Sequence, residues 1–203
     1  MLDIQHKRCV IVGGGPVALR RARALLEAGG SVTVIAPGIE PELSALPINR
    51  LERPYRHGDL DGAWLVIIAS NDPQVNEAAA RDAKQANVLV NRADDPEAGD
   101  FTVPAHAHHG PVTLAVHTGG VSAAAAATIR RELSDALDPD WPRLIGLASP
   151  FRSILQQRFP DVDRRQARLK QLADPHAMAL LKERGEQALL EFFNELTRAE
   201  PAD

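Results

Sequence analysis

The stretch "CVIVGGGPVALRRARALLEAGG" (residues 9–30) limits the possible folds more than any other part of the chain. Four apolar, β-favouring residues run into three glycines and then into a helical pattern that Gly29-Gly30 stops. Between strand and helix lies Gly13-x-Gly15-x-x-Ala18, the spacing at which a dinucleotide pyrophosphate meets bare backbone and the positive end of a helix. The three positions meet separate physical needs, since Gly13 permits the tight turn, Gly15 clears space for the phosphates, and Ala18 lets the helix close on the strand. Pro16 falls in the first helical turn, where a missing N–H costs little.

The same alternation continues. Strand-like runs at 9–12, 32–36, 64–70, 88–91 and 112–117 are interleaved with helical ones at 17–28 and 75–86, which predicts an α/β fold with a Rossmann-like, mainly parallel sheet. These strands lack polar/apolar alternation, as expected when helices cover both faces. After "HTGG" (117–120) the pattern changes to an alanine-rich helix over 122–137 with Ser122 as its cap. Pro139, Pro142, Pro150 and Pro160 then punctuate the chain, and 175–199 has helical spacing at Leu180, Leu181, Leu189, Leu190, Phe193 and Leu196. The expected division is a nucleotide-binding domain over 1–120 and a helical region over 121–203.

Charge and cysteine content narrow the function classes. Against 23 Lys and Arg stand 27 Asp and Glu, a balance of −4, so there is no general electrostatic reason to expect a nucleic-acid partner. The single cysteine, Cys9, allows neither a disulfide framework nor a zinc quartet and fits a reducing, cytoplasmic setting. No apolar run approaches the roughly 20 residues that cross a bilayer, and Met1 opens onto "LDIQHKR" with no signal-peptide core, so no membrane association is expected.

In a sheet of this kind ligands collect at the carboxyl ends of the strands. After the second strand Ala36-Pro37 stands where an acidic ribose reader is usual, and Glu40 is poorly spaced to replace it. Backbone around Pro37 and Gly38 is left to meet the ribose, and NAD against NADP stays open. The run "IIASNDPQVN" (67–76) places Ser70 and Asn71 near the cofactor ring, while Asp72 before Pro73 reads as a helix cap. The run "VLVNRADDPEAGDF" (88–101) sends Asn91, Asp94 and Asp95 out at the same sheet edge. A carboxylate there, partly desolvated so that its pKa rises toward working pH, is suited to take a proton from a substrate. For Asp95, next to Pro96, a plain polar turn is favoured. "PAHAHHG" (104–110) puts His106 and His108 on one face of an extended run, but no cysteine or carboxylate pattern joins them, so a solvated loop is expected and no metal site.

The four segments "VIVGGGPVALRRARALLEAG", "WLVIIASNDPQVN", "VLVNRADDPEAGDFTVPA" and "GPVTLAVHTGGVSAAAAATIRREL" resemble, in order and spacing, precorrin-2 dehydrogenase, the dehydrogenase and chelatase module of sirohaem synthase. The likeness covers about residues 8–137. It implies NAD-dependent two-electron oxidation of precorrin-2 to sirohydrochlorin in sirohaem biosynthesis, followed in some members by insertion of ferrous iron as a second substrate. The family's catalytic aspartate, in its "NVVD" motif, falls on Asp94 of "NRAD". Its NAD-contacting positions fall on Pro16, Val17, Pro37 and Gly38, and its tetrapyrrole-side "TGG" on Thr118, Gly119 and Gly120. The chain departs from the family's Ser-Pro-x-Leu-Ala after the glycine pair, having Ser122 and then alanines.

The residues add a binding rationale of their own. Gly119-Gly120 leading into helix 122–137 offers backbone N–H groups to the acetate and propionate arms of a tetrapyrrole, and Arg92, Arg130 and Arg131 are candidates for charge-assisted bonds. A homodimer is expected through region 121–203, since the apolar stripe of 175–199 has few partners in its own chain and members of the resembled family are intertwined dimers. The competing reading is a regulatory module that senses NAD(H) without catalysis. Asp94 together with "HTGG" argues against it, because a sensor needs neither.

Overall fold

The structure is a computed structural model that describes residues 2–198. It contains two compact units, the first ending at Val103 and the second beginning at Pro104. The boundary expected near Gly120 therefore falls inside the second unit.

In the first unit the order is β1 (Arg8–Val12), α1 (Pro16–Glu27), β2 (Ser31–Ile35), α2 (Pro41–Ser44), β3 (Asn49–Leu51), β4 (Leu65–Ile68), α3 (Pro73–Gln85) and β5 (Leu89–Arg92). All five strands are parallel, in the order β3-β2-β1-β4-β5. The order reverses between β1 and β4, so the carboxyl ends of these two strands bound the crevice where such sheets take ligands. Successive strand residues feed opposite faces, and both faces are apolar. Ile11, Val34, Leu65 and Ile67 pack with Ala18, Ala22 and Leu25 of α1, while Val10, Val12, Val66 and Ile68 pack with Ala79 and Ala83 of α3. This double burial is why the strand sequences show no alternation. The three-residue β3, "NRL", is too short and too polar to be read from the sequence.

β5 is a sheet edge, and an edge strand carries unpaired backbone groups unless something covers them. Here the acidic loop folds back along it. Asp100 Oδ2 accepts from Val90 N at 2.9 Å, Asp100 N donates to Val90 O at 2.8 Å, and Asn91 Nδ2 donates to Phe101 O at 2.8 Å. Part of the negative charge after this strand is therefore edge closure. Asn91 is buried within β5 and does not leave the sheet with the acidic residues as expected.

The second unit begins with an antiparallel hairpin, β6 (Ala105–His109) with β7 (Val112–Val116), turned at Gly110-Pro111. Two expectations are corrected by it: residues 112–116 are not part of the parallel sheet, and "AHAHH" is a strand and not a loop. Its His106 and His108 share the exposed face, and no group of three metal-ligating side chains occurs among the described residues. Four helices follow: α4 (Ala123–Ala136), α5 (Asp140–Arg158), α6 (Val162–Gln171) and α7 (Pro175–Leu196), the last kinked at Gly185. The stripe of α7 is covered within its own chain. Leu181, Leu189 and Phe193 are at most 2 % exposed against Leu144, Ala148 and Leu155 of α5. The exposed apolar face lies instead on α4, where Ile129 is 41 % and Leu133 49 % exposed and Ala126 alone is buried. Among the described residues no helix is long and apolar enough to cross a membrane.

Candidate active site

The glycine loop is built by three different constraints. At Gly13, φ is +130° and a Cβ would stand 2.3 Å from the Ala69 carbonyl oxygen, so this glycine lets β1 and β4 end side by side. At Gly14 a Cβ would stand 2.0 Å from the Gly38 carbonyl oxygen, and Glu40 N donates to Gly14 O at 3.0 Å, which seats the loop after β2 on the glycine turn. Gly15 is different. It caps α1 with an ordinary extended conformation (φ −94°), and nothing lies within 4 Å of where its Cβ would be.

No contact within the chain therefore requires glycine at position 15, and the space it leaves adjoins the bare amino end of a twelve-residue helix with no acid in its first turn. Gly38 likewise borders open space, with Pro37 exposed beside it. Ala18 is fully buried, as close helix-on-strand packing demands, while Pro16 is exposed and Val17 half-buried at the mouth of the loop. A pyrophosphate fits this cradle by the physics of helix N-termini and exposed backbone amides. Because a Gly13→Ala variant must force a methyl against backbone, it is expected to lose about 2–4 kcal/mol of stability. Gly15→Ala should leave stability unchanged; urea unfolding of the two variants checks the contrast.

Just beyond the end of β4, Ser70 is half-buried and Asn71 exposed. Asp72 is the cap of α3, accepting from Gln74 N at 2.8 Å and Val75 N at 3.4 Å. Asn76, one turn into α3 and 2 % exposed, ties the two strand ends together through its Nδ2, which donates to Ser70 O at 3.0 Å and to Asp94 Oδ2 at 3.0 Å. The sequence alone assigns Asn76 no role. Its one signal there is a polar residue on the buried face of α3, among alanines.

Asp94 follows β5 by two residues and keeps about a third of its side-chain surface exposed. Arg92 grips it side-on, Nε to Oδ1 at 3.2 Å and Nη2 to Oδ2 at 2.8 Å, and turns its Nη1 to Glu77 Oε1 at 2.5 Å. The Arg92 guanidinium and, after it, the Asn76 amide hold the Asp94 carboxyl down to about 2, against an opposing effect of burial. Desolvation was expected to raise this carboxyl toward working pH, and the structure reverses the expectation because an opposite charge sits in direct contact. Arg92 is also corrected as a candidate for a substrate arm: it is 7 % exposed and all three of its guanidinium nitrogens are spent on two carboxylates. Asp95 is exposed and makes no capping bond to the short turn that follows.

In the second unit Gly119 (φ +64°) and Gly120 (φ +82°) make a left-handed turn open on the side where Cβ atoms would lie. The Thr118 hydroxyl is used to close this turn, donating to Ser122 O at 3.0 Å and accepting from Ser122 N at 3.3 Å. Ser122 Oγ in turn accepts from Ala125 N at 3.1 Å, the expected cap of α4. Arg130 is half-buried and Arg131 exposed, and neither is engaged in an ion pair among the described residues.

Comparison with known proteins is consistent with this arrangement. A family model described as "Putative NAD(P)-binding" matches residues 1–105. A siroheme synthase of Chromobacterium violaceum is 42% identical over 168 residues, covering 81% of this chain and 36% of the relative, and one of Azotobacter vinelandii is 37% identical over 167 residues, covering 80% and 36%. The chain thus spans about a third of the length of these relatives. Among solved structures, "SirC, precorrin-2 dehydrogenase" superposes with a TM-score of 0.76 over 96% of this chain and 98% of that one, at 24% identity, which shows a shared fold.

Proposed function

We propose that this chain, which belongs to the NAD(P)-binding family matched over residues 1–105 and is a relative of the siroheme synthases, oxidises precorrin-2 to sirohydrochlorin with NAD as acceptor. The observation that carries the reading is the pairing of an open glycine cradle at Gly15 with a strand-end carboxylate, Asp94, on the same sheet. The reaction removes two electrons and two protons from the macrocycle, one hydrogen leaving with its electron pair and the other as a proton. NAD supplies the two-electron acceptor. Gly13, Gly15, Pro16 and Val17 would hold its pyrophosphate, Pro37 and Gly38 its ribose, and Ser70 and Asn71 its ring end. Ala36-Pro37 stands where an acidic ribose reader is usual and Glu40 is poorly spaced to replace it, so that preference rests on backbone groups around Gly38.

Asp94 is ionised at every working pH, and a carboxylate so acidic is a weak base. Its contribution is electrostatic: a fixed negative charge stabilises the positive charge that the macrocycle acquires as the hydride leaves, and the proton goes to water. The turn Thr118-Gly119-Gly120, the start of α4 and the Arg130 side chain supply donors suited to carboxylate arms. Ferrous iron as a further substrate belongs to the same reading, drawn from the resemblance alone. A cytoplasmic enzyme fits the lone Cys9, which is buried and has its thiol pushed up to about 11 by burial. Anaerobic incubation of the full chain with precorrin-2 and NAD tests the reading: NADH and sirohydrochlorin should form in equal amounts, and the absence of both would overturn it. Adding Fe²⁺ to the product then tests chelation separately.

The reading includes a homodimer, now through α4 and not α7. Ile129 and Leu133, one turn apart and both exposed, support it. Light scattering at micromolar concentration should give twice the chain mass, and Leu133→Glu should give the monomer. A parent chain that is already monomeric would remove the proposal.

A further inference from the structure

Arg92 ends the edge strand β5, and its side chain is 8 % exposed. A buried guanidinium must be paired or it costs several kcal/mol. Here it is paired on both sides. Its Nε and Nη2 take both oxygens of Asp94, and its Nη1 reaches Glu77 on α3. Glu77 is one residue from Asn76, which donates to Asp94 Oδ2 from the same helix. Two adjacent residues of α3 thus brace the carboxylate, one directly and one through Arg92.

We infer that Arg92 is a positioning residue that fixes the orientation and charge of Asp94 before substrate arrives, with Glu77 anchoring the far side of its guanidinium. This rests on the reading of Asp94 as the carboxylate that faces the substrate. Of the two Asp94 oxygens, Oδ2 accepts from the side chains of both Arg92 and Asn76, and Oδ1 from that of Arg92 through Nε. Rotating the carboxyl out of this orientation would break three side-chain bonds. The Asp94 side chain is far more exposed than that of Arg92, 36% against 8%, so the clamp is internal and the clamped group is accessible. The charged groups around Asp94 are Arg92 from β5, Glu77 from α3 acting through Arg92, and the exposed Asp95 and Glu97 of the following turn. Arg92 is the only cation hydrogen-bonded to it among the described residues.

The test compares the full chain with Arg92→Val, which removes the guanidinium, and with Arg92→Lys, which keeps the charge but not the two-pronged grip. Carboxyl-carbon NMR of Asp94 in NAD-free protein follows the clamp without any substrate. Asp94 should titrate near pH 2 in the parent and at least one unit higher in Arg92→Val. In turnover of precorrin-2, Arg92→Val should lose roughly tenfold in kcat and move its acidic limb upward, with KM for NAD unchanged, and Arg92→Lys should recover the pH profile but not the full rate. An Asp94 titration that is the same in parent and Arg92→Val, or a pH profile that does not move, overturns the inference. Should Arg92→Val fail to fold, Glu77→Gln, exposed and not bonded to Asp94, gives the same readouts with a smaller rise. Failure of the parent to oxidise precorrin-2 would defeat the functional reading, while the NMR titration still decides the clamp.

Discussion

Asp94→Asn is expected to bind NAD with the parent's affinity and to lose roughly 100- to 1,000-fold in oxidation of precorrin-2, the range typical for removing one preorganised electrostatic contact to a transition state. The amide keeps the size of the carboxyl, so Asn76 and Ser70 remain in place, but the charge is gone. Arg92 would then answer to Glu77 alone, which is over half exposed, and some local loosening of the β5 end should accompany the loss. Stopped-flow NADH formation under anaerobic conditions measures the rate, and nicotinamide fluorescence titration measures affinity. A variant within a few-fold of the parent would show that Asp94 takes no part in the chemistry. Loss of NAD affinity together with rate would assign the residue to architecture.

Gly15→Val is expected to weaken NAD binding while leaving the fold intact. The position has ordinary backbone angles and no atom within 4 Å of where a Cβ would stand, so the side chain has room in the free protein. Once a pyrophosphate occupies that space the branched side chain overlaps it, and overpacking of this kind typically costs about 1–3 kcal/mol, or roughly 5- to 150-fold in affinity. Circular dichroism and urea unfolding should match the parent. Undiminished NAD affinity would show that Gly15 does not border the cofactor. The same experiment on Gly13 would be uninterpretable, because there a side chain collides with the Ala69 carbonyl whether or not cofactor is present.

Much of the first unit was legible in the sequence because its rules are local. A strand, a glycine turn and a helix with proline at its start follow one another within about twenty residues, and each is dictated by backbone sterics or by covalent neighbours. The caps at Asp72 and Ser122 were legible for the same reason, since a side chain that bonds the amide two or three residues ahead needs no tertiary context. The histidine-bearing strand β6 was missed because alternating alanine and histidine carries little β-propensity, and its strand character comes from pairing with β7. The apolar stripe of α7 was visible, yet its partner was not. Period alone says that a face must be covered and is silent on whether α5 or a second copy covers it.

Spacing along the chain thus dictates the parallel α/β unit, the place of the glycine loop and a carboxylate at the end of a strand. Tertiary structure alone decided what that carboxylate is. Arg92 and Asp94 are two residues apart and Asn76 and Glu77 lie on another element, and only the packing of α3 against β5 brings the four together. The sign of the Asp94 pKa shift depends on which of two opposed effects is stronger, burial or an adjacent cation. Burial can be guessed from a hydrophobic pattern, but a hydrogen bond of 2.8 Å to a guanidinium exists only once the chain has folded.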